Sequence, residues 1–533
     1  MTNDLKLNVS LDLTKLKNFD WFSFGLFFFV GILFYGNYTF TTFGSETYDA
    51  YVSDFGRNVR WMLFYDPRPM LALFARICYL IGFNPTHNQR IVIFLAILIQ
   101  TISCFIGYKA ILKRIAPTIS QLGKVLLIFA SIIVWFNPFF TDNLQWAEWV
   151  LFFFIGNLCA VISAVIISEN NNQKQLKNII VACLLLLVTI NTYQAGLYFF
   201  VLYSMIFYFM DSLKDRTSGI KYWLSHLLKL VFVYVVTIVF MVLYLRLFSA
   251  VDGYRGMGSF AAGFQNIVFN LQHLLRNYMP FLWSSAYGML PNYLFSLAFL
   301  SATLMLFIGL YWFIKQEKTI SKKLTFLFVS LCAIIGPIIA LFAPALISPW
   351  PQPAMIVGFF SLLSLVIFLC VALFASYVDI FSHRLAFGFK LILLVISSGI
   401  IIQSWAVTNS IQRRLVITNA IELANAKFYL EAIRVHEANT GIIIKNIAFT
   451  KDESFTYKLP DARFAPFRIN ERGFHRLVVH TNRSFLIFMG GGHLNLIPMP
   501  EDIRDRYFAG RNWDSLSPEQ IVFIGDTVFI SLY

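Results

Sequence analysis

The chain has 533 residues, of which 58% are apolar and 17% aromatic, while only 13% are charged. Soluble globular proteins carry roughly 45–50% apolar and about 25% charged residues. The composition therefore excludes a soluble enzyme, a disordered chain and a disulfide scaffold, and it marks an integral membrane protein. Residues 1–406 hold 27 Lys+Arg against 15 Asp+Glu, a net of +12 of the chain's +14. The basic excess thus belongs to the membrane part, where it reports orientation rather than nucleic-acid binding. All six cysteines lie in or beside apolar segments, and the eight histidines are scattered without metal-ligand spacing.

Taken in chain order, a polar segment (1–20) with Lys6, Lys15 and Lys17 precedes the first apolar run, which serves as insertion signal. Spanning helices need about 20 mostly apolar residues. Eleven segments qualify or nearly so: 21–38, 91–112, 125–138, 149–168, 179–190, 195–210, 227–248, 293–314, 324–341, 355–375 and 391–406. The segment 69–86 is also apolar, but Arg76 sits near its middle, at a cost of roughly 2.5–3.5 kcal/mol at a span's centre. It is read as a helix lying in the interface. The fold class expected is a polytopic α-helical membrane protein of about 11 transmembrane helices (21–406), followed by a small α+β extracytoplasmic domain (407–533).

With eleven spans, one set of loops holds 19 basic residues, 16 of them Lys, and the opposite set holds eight, all Arg. The positive-inside rule makes the lysine-rich side cytoplasmic. The N-terminus is then inside and the tail outside, as in a bacterial inner-membrane protein.

The outer loops combine carboxylates with arginines. The first contains Glu46, Asp49 and Asp54, then Arg57, Arg60 and Arg68. Arginine grips phosphate through a planar fork, and a carboxylate can take a hydroxyl proton. The set suits a phosphorylated lipid head entering from the bilayer. Surface ion pairs and headgroup contacts give the same pattern. Asp142 and Glu148, in the outer loop at 137–148, are candidates to orient acceptor hydroxyls. Trp146 and Trp149 beside them fit an aromatic interface belt. Tyr193 and Gln194 interrupt an apolar stretch, either lining a groove or ending two spans at a tight turn. In the second long outer loop, Gly-rich around Arg255, an apolar run at 260–279 reads as an interfacial helix carrying Arg276. Both arginines are secondary phosphate candidates, and the loop lacks a nucleotide P-loop ending. The turn at 348–353 is proline-rich and structural.

The segment Asp54-Phe-Gly-Arg57 followed by Arg68-Pro69 resembles the opening motif of the type II Gtr (GtrII-like) membrane glucosyltransferase family. The stretch from Asn137 to Glu148, then Thr192-Tyr-Gln-Ala195, and in the tail Arg511-Asn-Trp513 and Gly525-Asp526, fit in order. Two departures stand out: the family's paired acids are Ser53-Asp54 here, and Pro67 replaces the glycine before Arg68. The resemblance implies a class C-like glycosyltransferase. It would move a hexose, glucose or a relative, from a polyprenyl-phosphate donor to a polysaccharide or glycolipid acceptor on the extracytoplasmic face, as in O-antigen modification. Asp54 is then the general base, with Asp49 or Glu46 able to stand in for the missing acid, and Arg57, Arg60 and Arg68 hold the leaving phosphate. No cofactor is indicated, although carboxylates alone can hold Mg²⁺. A flippase for lipid-linked sugars is the rival from another class, but such proteins place polar sites at the midplane of repeated halves. A polysaccharide polymerase or ligase is the nearer rival.

In the tail, residues 412–437 show a helical rhythm through Leu415, Ile421, Ala424, Phe428, Ala432 and Val435. Strand-like runs follow at 442–449, 474–481, 484–489 and 521–532, with Gly490-Gly-Gly492 as a turn.

Overall fold

A computed structural model of the chain describes residues 20–39, 63, 68–115, 119–169, 175–214, 218–248, 267–277, 294–317, 319–346, 358–376, 383–451, 484, 486–511, 513 and 515–532. Its helices are α1 (Trp21–Tyr35), α2 (Pro69–Leu80), α3 (Gln89–Ile115), α4 (Gln121–Trp135), α5 (Phe140–Leu144), α6 (Val150–Ile167), α7 (Gln175–Thr192) and α8 (Leu197–Lys214). They continue as α9 (Ile220–Phe248), α10 (Ile267–Asn277), α11 (Leu294–Gln316), α12 (Ile320–Leu346), α13 (Ser361–Ser376), α14 (His383–Thr440) and, in the tail, α15 (Glu501–Tyr507).

Among the described residues nine helices are long and apolar enough to cross a membrane. The expected spans at 125–138 and 355–375 carry the shorter α4 and α13, of 15 and 16 residues. Helix α2 has 12 residues, about 18 Å at 1.5 Å each, well short of a hydrocarbon core of about 30 Å. It buries Leu71, Ala72, Ala75 and Cys78 on one face and leaves Arg76 exposed against the Tyr79 ring. The exposed side carries Leu73, Ile77 and Leu80 as well, so apolar residues lie on both sides of this short helix and Arg76 is its one exposed charge. Helix α10 falls inside the expected run at 260–279 and packs against α12.

The bundle is organised around α8, whose residues are nearly all buried. It packs against α3, α6, α12 and α13. Small residues let the helices close up, since hydrocarbon tails offer no hydrophobic drive for association. A Cβ on Gly107 of α3 would stand 2.5 Å from the Tyr203 ring of α8. One on Gly156 of α6 would overlap the Thr192 hydroxyl of α7. Trp135 of α4 stacks on Phe199 at 4.4 Å and donates from Nε1 to the Tyr203 hydroxyl at 2.8 Å, so its polar edge is satisfied inside the core.

At the lysine-rich end a mostly buried ion pair joins two helices. Arg114 of α3 faces Asp211 of α8 at 3.5 Å, donates to the Ser168 hydroxyl at 2.6 Å and lies over the Phe207 ring at 3.9 Å. Both side chains are mostly buried, at 13% and 24% exposure. Arg114→Leu strands the carboxylate and is expected to cost roughly 3 kcal/mol, most of it recovered in the Arg114→Leu/Asp211→Leu double variant. Thermal unfolding of the detergent-solubilised protein measures both.

Helix α14 runs 58 residues without a break, across the division expected at 406/407. Val407, Ile411 and Leu415 are buried in the membrane bundle's core. Further along the same helix, Ala426, Tyr429, Leu430 and Ile433 form one side of the tail's core, against Ile447, Leu494, Val528 and Ile530. The tail sheet consists of β1 (Asn446–Lys451), β2 (Asn495–Leu496), β3 (Ile521–Ile524) and β4 (Thr527–Leu532), in the order β2-β1-β4-β3. The β1 strand is parallel to both neighbours, and β3-β4 is an antiparallel hairpin.

Three expectations for the tail need correction. The buried face of α14 is not the one through Ile421, Ala424, Phe428 and Val435: Ala424 and Val435 are exposed, and Asn419, Glu422 and Asn425 are buried. The run at 484–489 is not a strand, because residues 486–488 are helical. The run at 521–532 is two strands, turned at Gly525-Asp526, where Gly525 has φ +60°. Residues 474–481 lie outside the described residues.

Candidate active site at one end of the bundle

Helices alternate in direction, so the C-terminal ends of α1, α4 and α7 and the N-terminal ends of α3, α6 and α8 meet at the end opposite Arg114. The connection from α4 to α6 crosses this end and is almost wholly buried from Phe136 to Val150. A buried loop must satisfy its own backbone groups, and this one does so in three steps. The Tyr35 hydroxyl donates to the Asn137 carbonyl at 2.9 Å and accepts from the Asn137 N–H at 2.8 Å. The Asn137 side chain accepts from the Phe139 N–H at 3.0 Å and donates to the Val134 carbonyl at 3.1 Å. The Pro138 carbonyl takes both the N–H and the hydroxyl of Thr141, at 3.0 and 2.5 Å, and starts the single turn of α5.

Aromatic rings fill the space beneath. Phe140 packs among Trp135, Phe154 and Phe199, and Phe139 against Phe359 and Phe360. Tyr35→Phe removes both hydrogen bonds to Asn137, whose carbonyl keeps the Phe140 N–H at 3.3 Å, and is expected to cost about 1–2 kcal/mol. Faster amide exchange at Asn137, with the rest of α4 unchanged, is the accompanying signature.

On this loop stand Asp142 and Glu148, 1% and 2% exposed. Placing two carboxylates inside a membrane protein is expensive, and such residues mark functional sites by default. Gln145 and Asn143 are buried with them. Trp146 and Trp149 are partly buried at the edge of the same loop.

Arg68 arrives from another direction. It is the N-cap residue of α2, 7% exposed, and its guanidinium lies 5.8 Å from the centre of the Tyr193 ring. Tyr193 in turn packs at 4.9 Å on Phe153, in the first turn of α6. The α2 start, the α7–α8 turn and the α6 start are thereby held together, with Glu148 two residues ahead of α6. Tyr193 takes an extended conformation (φ −154°) that ends α7, and a 3₁₀ turn, Gln194–Gly196, leads into α8. Gln194 is half-buried.

The cluster thus unites Arg68, Asp142, Glu148 and Tyr193 at one end. Glu46, Asp49, Asp54, Arg57, Arg60 and Arg255 lie outside the described residues, as do 348–353. Arg276 is placed on the last turn of α10 by its backbone alone. Sequence reasoning missed two polar residues of α14 that approach this end. Gln412 donates to the Phe34 carbonyl at 2.7 Å, and Glu422 is fully buried. The helix also touches α5 and the 3₁₀ turn Gly36–Thr39. The available signal was the spacing of Thr408, Gln412, Asn419 and Glu422, three, four or seven apart on one helical face. Among the described residues no group of three His, Cys, Asp or Glu is arranged to hold a metal ion.

A bundle of apolar helices with carboxylates, an arginine and aromatic rings buried at one end is a membrane protein with a polar reaction or binding site at its surface. The family model described as Glucosyl transferase GtrII matches residues 48–369, more than half of the chain. The protein belongs to that family and is a membrane glucosyltransferase. The matched region includes Asp49, Asp54, Arg68, the 137–149 loop and Tyr193. It ends before α14, so Arg511, Trp513 and the Gly525-Asp526 turn fall beyond it. No curated protein and no solved structure matches the chain.

Proposed function

We propose that the protein transfers glucose or a related hexose from a polyprenyl-phosphate carrier to a lipid-linked or cell-surface polysaccharide, on the extracytoplasmic face of a bacterial inner membrane. The supporting observation is the burial of Asp142, Glu148 and Arg68 together at the end of the bundle that lacks lysine, within the region that the family model matches. The acceptor hydroxyl attacks the anomeric carbon while its proton passes to Asp54. The bond from that carbon to the phosphate oxygen breaks, and the polyprenyl phosphate departs with the electron pair. One base and no carboxylate nucleophile give inversion at the anomeric carbon. Arg57, Arg60 and Arg68 neutralise the developing phosphate charge, which is the largest electrostatic contribution such a site can make. Arg255 and Arg276 stand by as further phosphate ligands. Asp142 and Glu148 accept hydrogen bonds from acceptor hydroxyls, with Tyr193 and Gln194 on the groove wall. Asp49 or Glu46 supplies the second acid of the pair. The N-terminus lies in the cytoplasm and the tail outside.

The test is transfer of radiolabelled glucose from synthetic polyprenyl-phosphate glucose to cell-surface glycolipid, in membranes with and without the protein. Transfer that depends on the protein, and that a nucleotide-glucose donor does not support, is the expected result. Protein-dependent transfer from the nucleotide donor alone would overturn the lipid-donor reading.

A further inference from the structure

Far from the carboxylate cluster, at the lysine-rich end, a cavity of about 960 Å³ opens between α7 and α9. Counted from the start of α9, its lining is polar first and apolar after: Ser225, His226 and Lys229, then Val231, Phe232 and Val235. Leu228 and Phe232 are 58% and 57% exposed on the same wall, so the cavity opens to the lipid side of the bundle. The ring of His226 is held between those of Tyr208 and Tyr222, at 6.1 and 6.2 Å and nearly parallel to both.

Lys229 is the feature to explain. It is half-buried on a spanning helix, and among the described residues it makes no ion pair or hydrogen bond. Among the described residues no acidic residue lines the cavity. Arg114, in the adjoining space, has Asp211. Helix α9 has 29 residues, about 43 Å, and so overshoots a hydrocarbon core of about 30 Å at both ends. Lys229 lies nine residues in, about 14 Å along the axis, where a snorkelling side chain reaches the headgroup level. A cation at that depth calls for an anion, and the apolar wall beyond it calls for hydrocarbon. One molecule supplies both.

We propose that this cavity binds an anionic glycerophospholipid, its phosphate oxygens accepting hydrogen bonds from the Lys229 ammonium and the Ser225 hydroxyl, and an acyl chain lying along Val231, Phe232 and Val235. A partner helix would cover the apolar wall but leave the ammonium without an anion. The site is distinct from the proposed donor site, which lies at the opposite end of the bundle.

The test uses the full-length protein in detergent with equal amounts of phosphatidylglycerol and phosphatidylcholine, bound lipid being read by native mass spectrometry. Phosphatidylglycerol is expected to be retained over phosphatidylcholine by about fivefold, the worth of one lysine near an anionic headgroup. Lys229→Leu removes the preference, Lys229→Arg keeps it, and Lys221→Leu, an exposed position two turns nearer the start of α9, also keeps it. Should Lys229→Leu lower the melting temperature sharply, Lys229→Gln takes its place. Equal retention of both lipids by wild type, an unchanged preference without the lysine, or displacement of the lipid by millimolar inorganic phosphate would each overturn the proposal.

Discussion

Asp54→Asn is expected to lower the rate of glucosyl transfer by roughly 10²–10⁴-fold, the usual worth of a positioned general base. The amide keeps the size and hydrogen-bonding reach of the carboxyl but cannot take the proton of the attacking hydroxyl. The loss should therefore fall on kcat, with KM for the lipid donor little changed, because the arginines proposed to hold the phosphate are intact. Steady-state transfer in membranes, with the amount of inserted protein matched, separates the two constants. Activity within a few-fold of wild type would move the base to another carboxylate of the same loop. Asp49→Asn and Glu46→Gln, measured alongside, identify which one.

Arg68→Lys carries the second large effect, expected to approach the roughly 10²–10³-fold loss that follows removal of one charge-stabilising donor. The conservative change keeps the positive charge, yet two properties of the guanidinium are lost. Lysine cannot present parallel N–H donors to two phosphate oxygens. It also cannot lie flat over the Tyr193 ring, which holds Arg68 at 5.8 Å in the buried start of α2. Tyr193→Phe preserves the ring and should retain most activity, whereas Tyr193→Leu should follow Arg68→Lys part of the way down. If Arg68→Lys is active and Tyr193→Leu is not, the arginine supports the α2 start rather than the phosphate.

The membrane helices were legible because each is an apolar run whose length the bilayer dictates. In the 69–86 segment Arg76 marks the exception to the apolar pattern, and it is exposed on a helix of 12 residues. The loop from Asn137 to Trp149 was legible as polar and acidic, but its burial was not. Loops between elements normally run over the surface, and nothing local in the sequence announces that Tyr35, about a hundred residues earlier, will bind both backbone groups of Asn137. In the tail, the six residues 484–489 form a short apolar run, a pattern that periodicity alone cannot divide between strand and helix. The helix at 412–437 is present as part of α14, and its apolar rhythm gives no sign that Asn419, Glu422 and Asn425 are among its buried residues. The Gly525-Asp526 pair was attributed to a family motif. It also has a plain structural duty, since Gly525 supplies the positive φ of the hairpin and the Asp526 carbonyl accepts from the Lys445 and Asn446 N–H groups at 2.8 and 3.1 Å.

The unbroken α14 makes the membrane bundle and the tail share one mechanical member. Its last residue in the bundle's core is Leu415, and the helix runs on to Thr440. That overhang of about 38 Å, at 1.5 Å per residue, acts as a lever arm. A change of about 10° in the helix's inclination at the bundle would swing its far end sideways by about 7 Å, one to two sugar widths. Bilayer thickness, which sets helix inclination through hydrophobic mismatch, would thereby be written into the position and reach of the tail relative to the bundle.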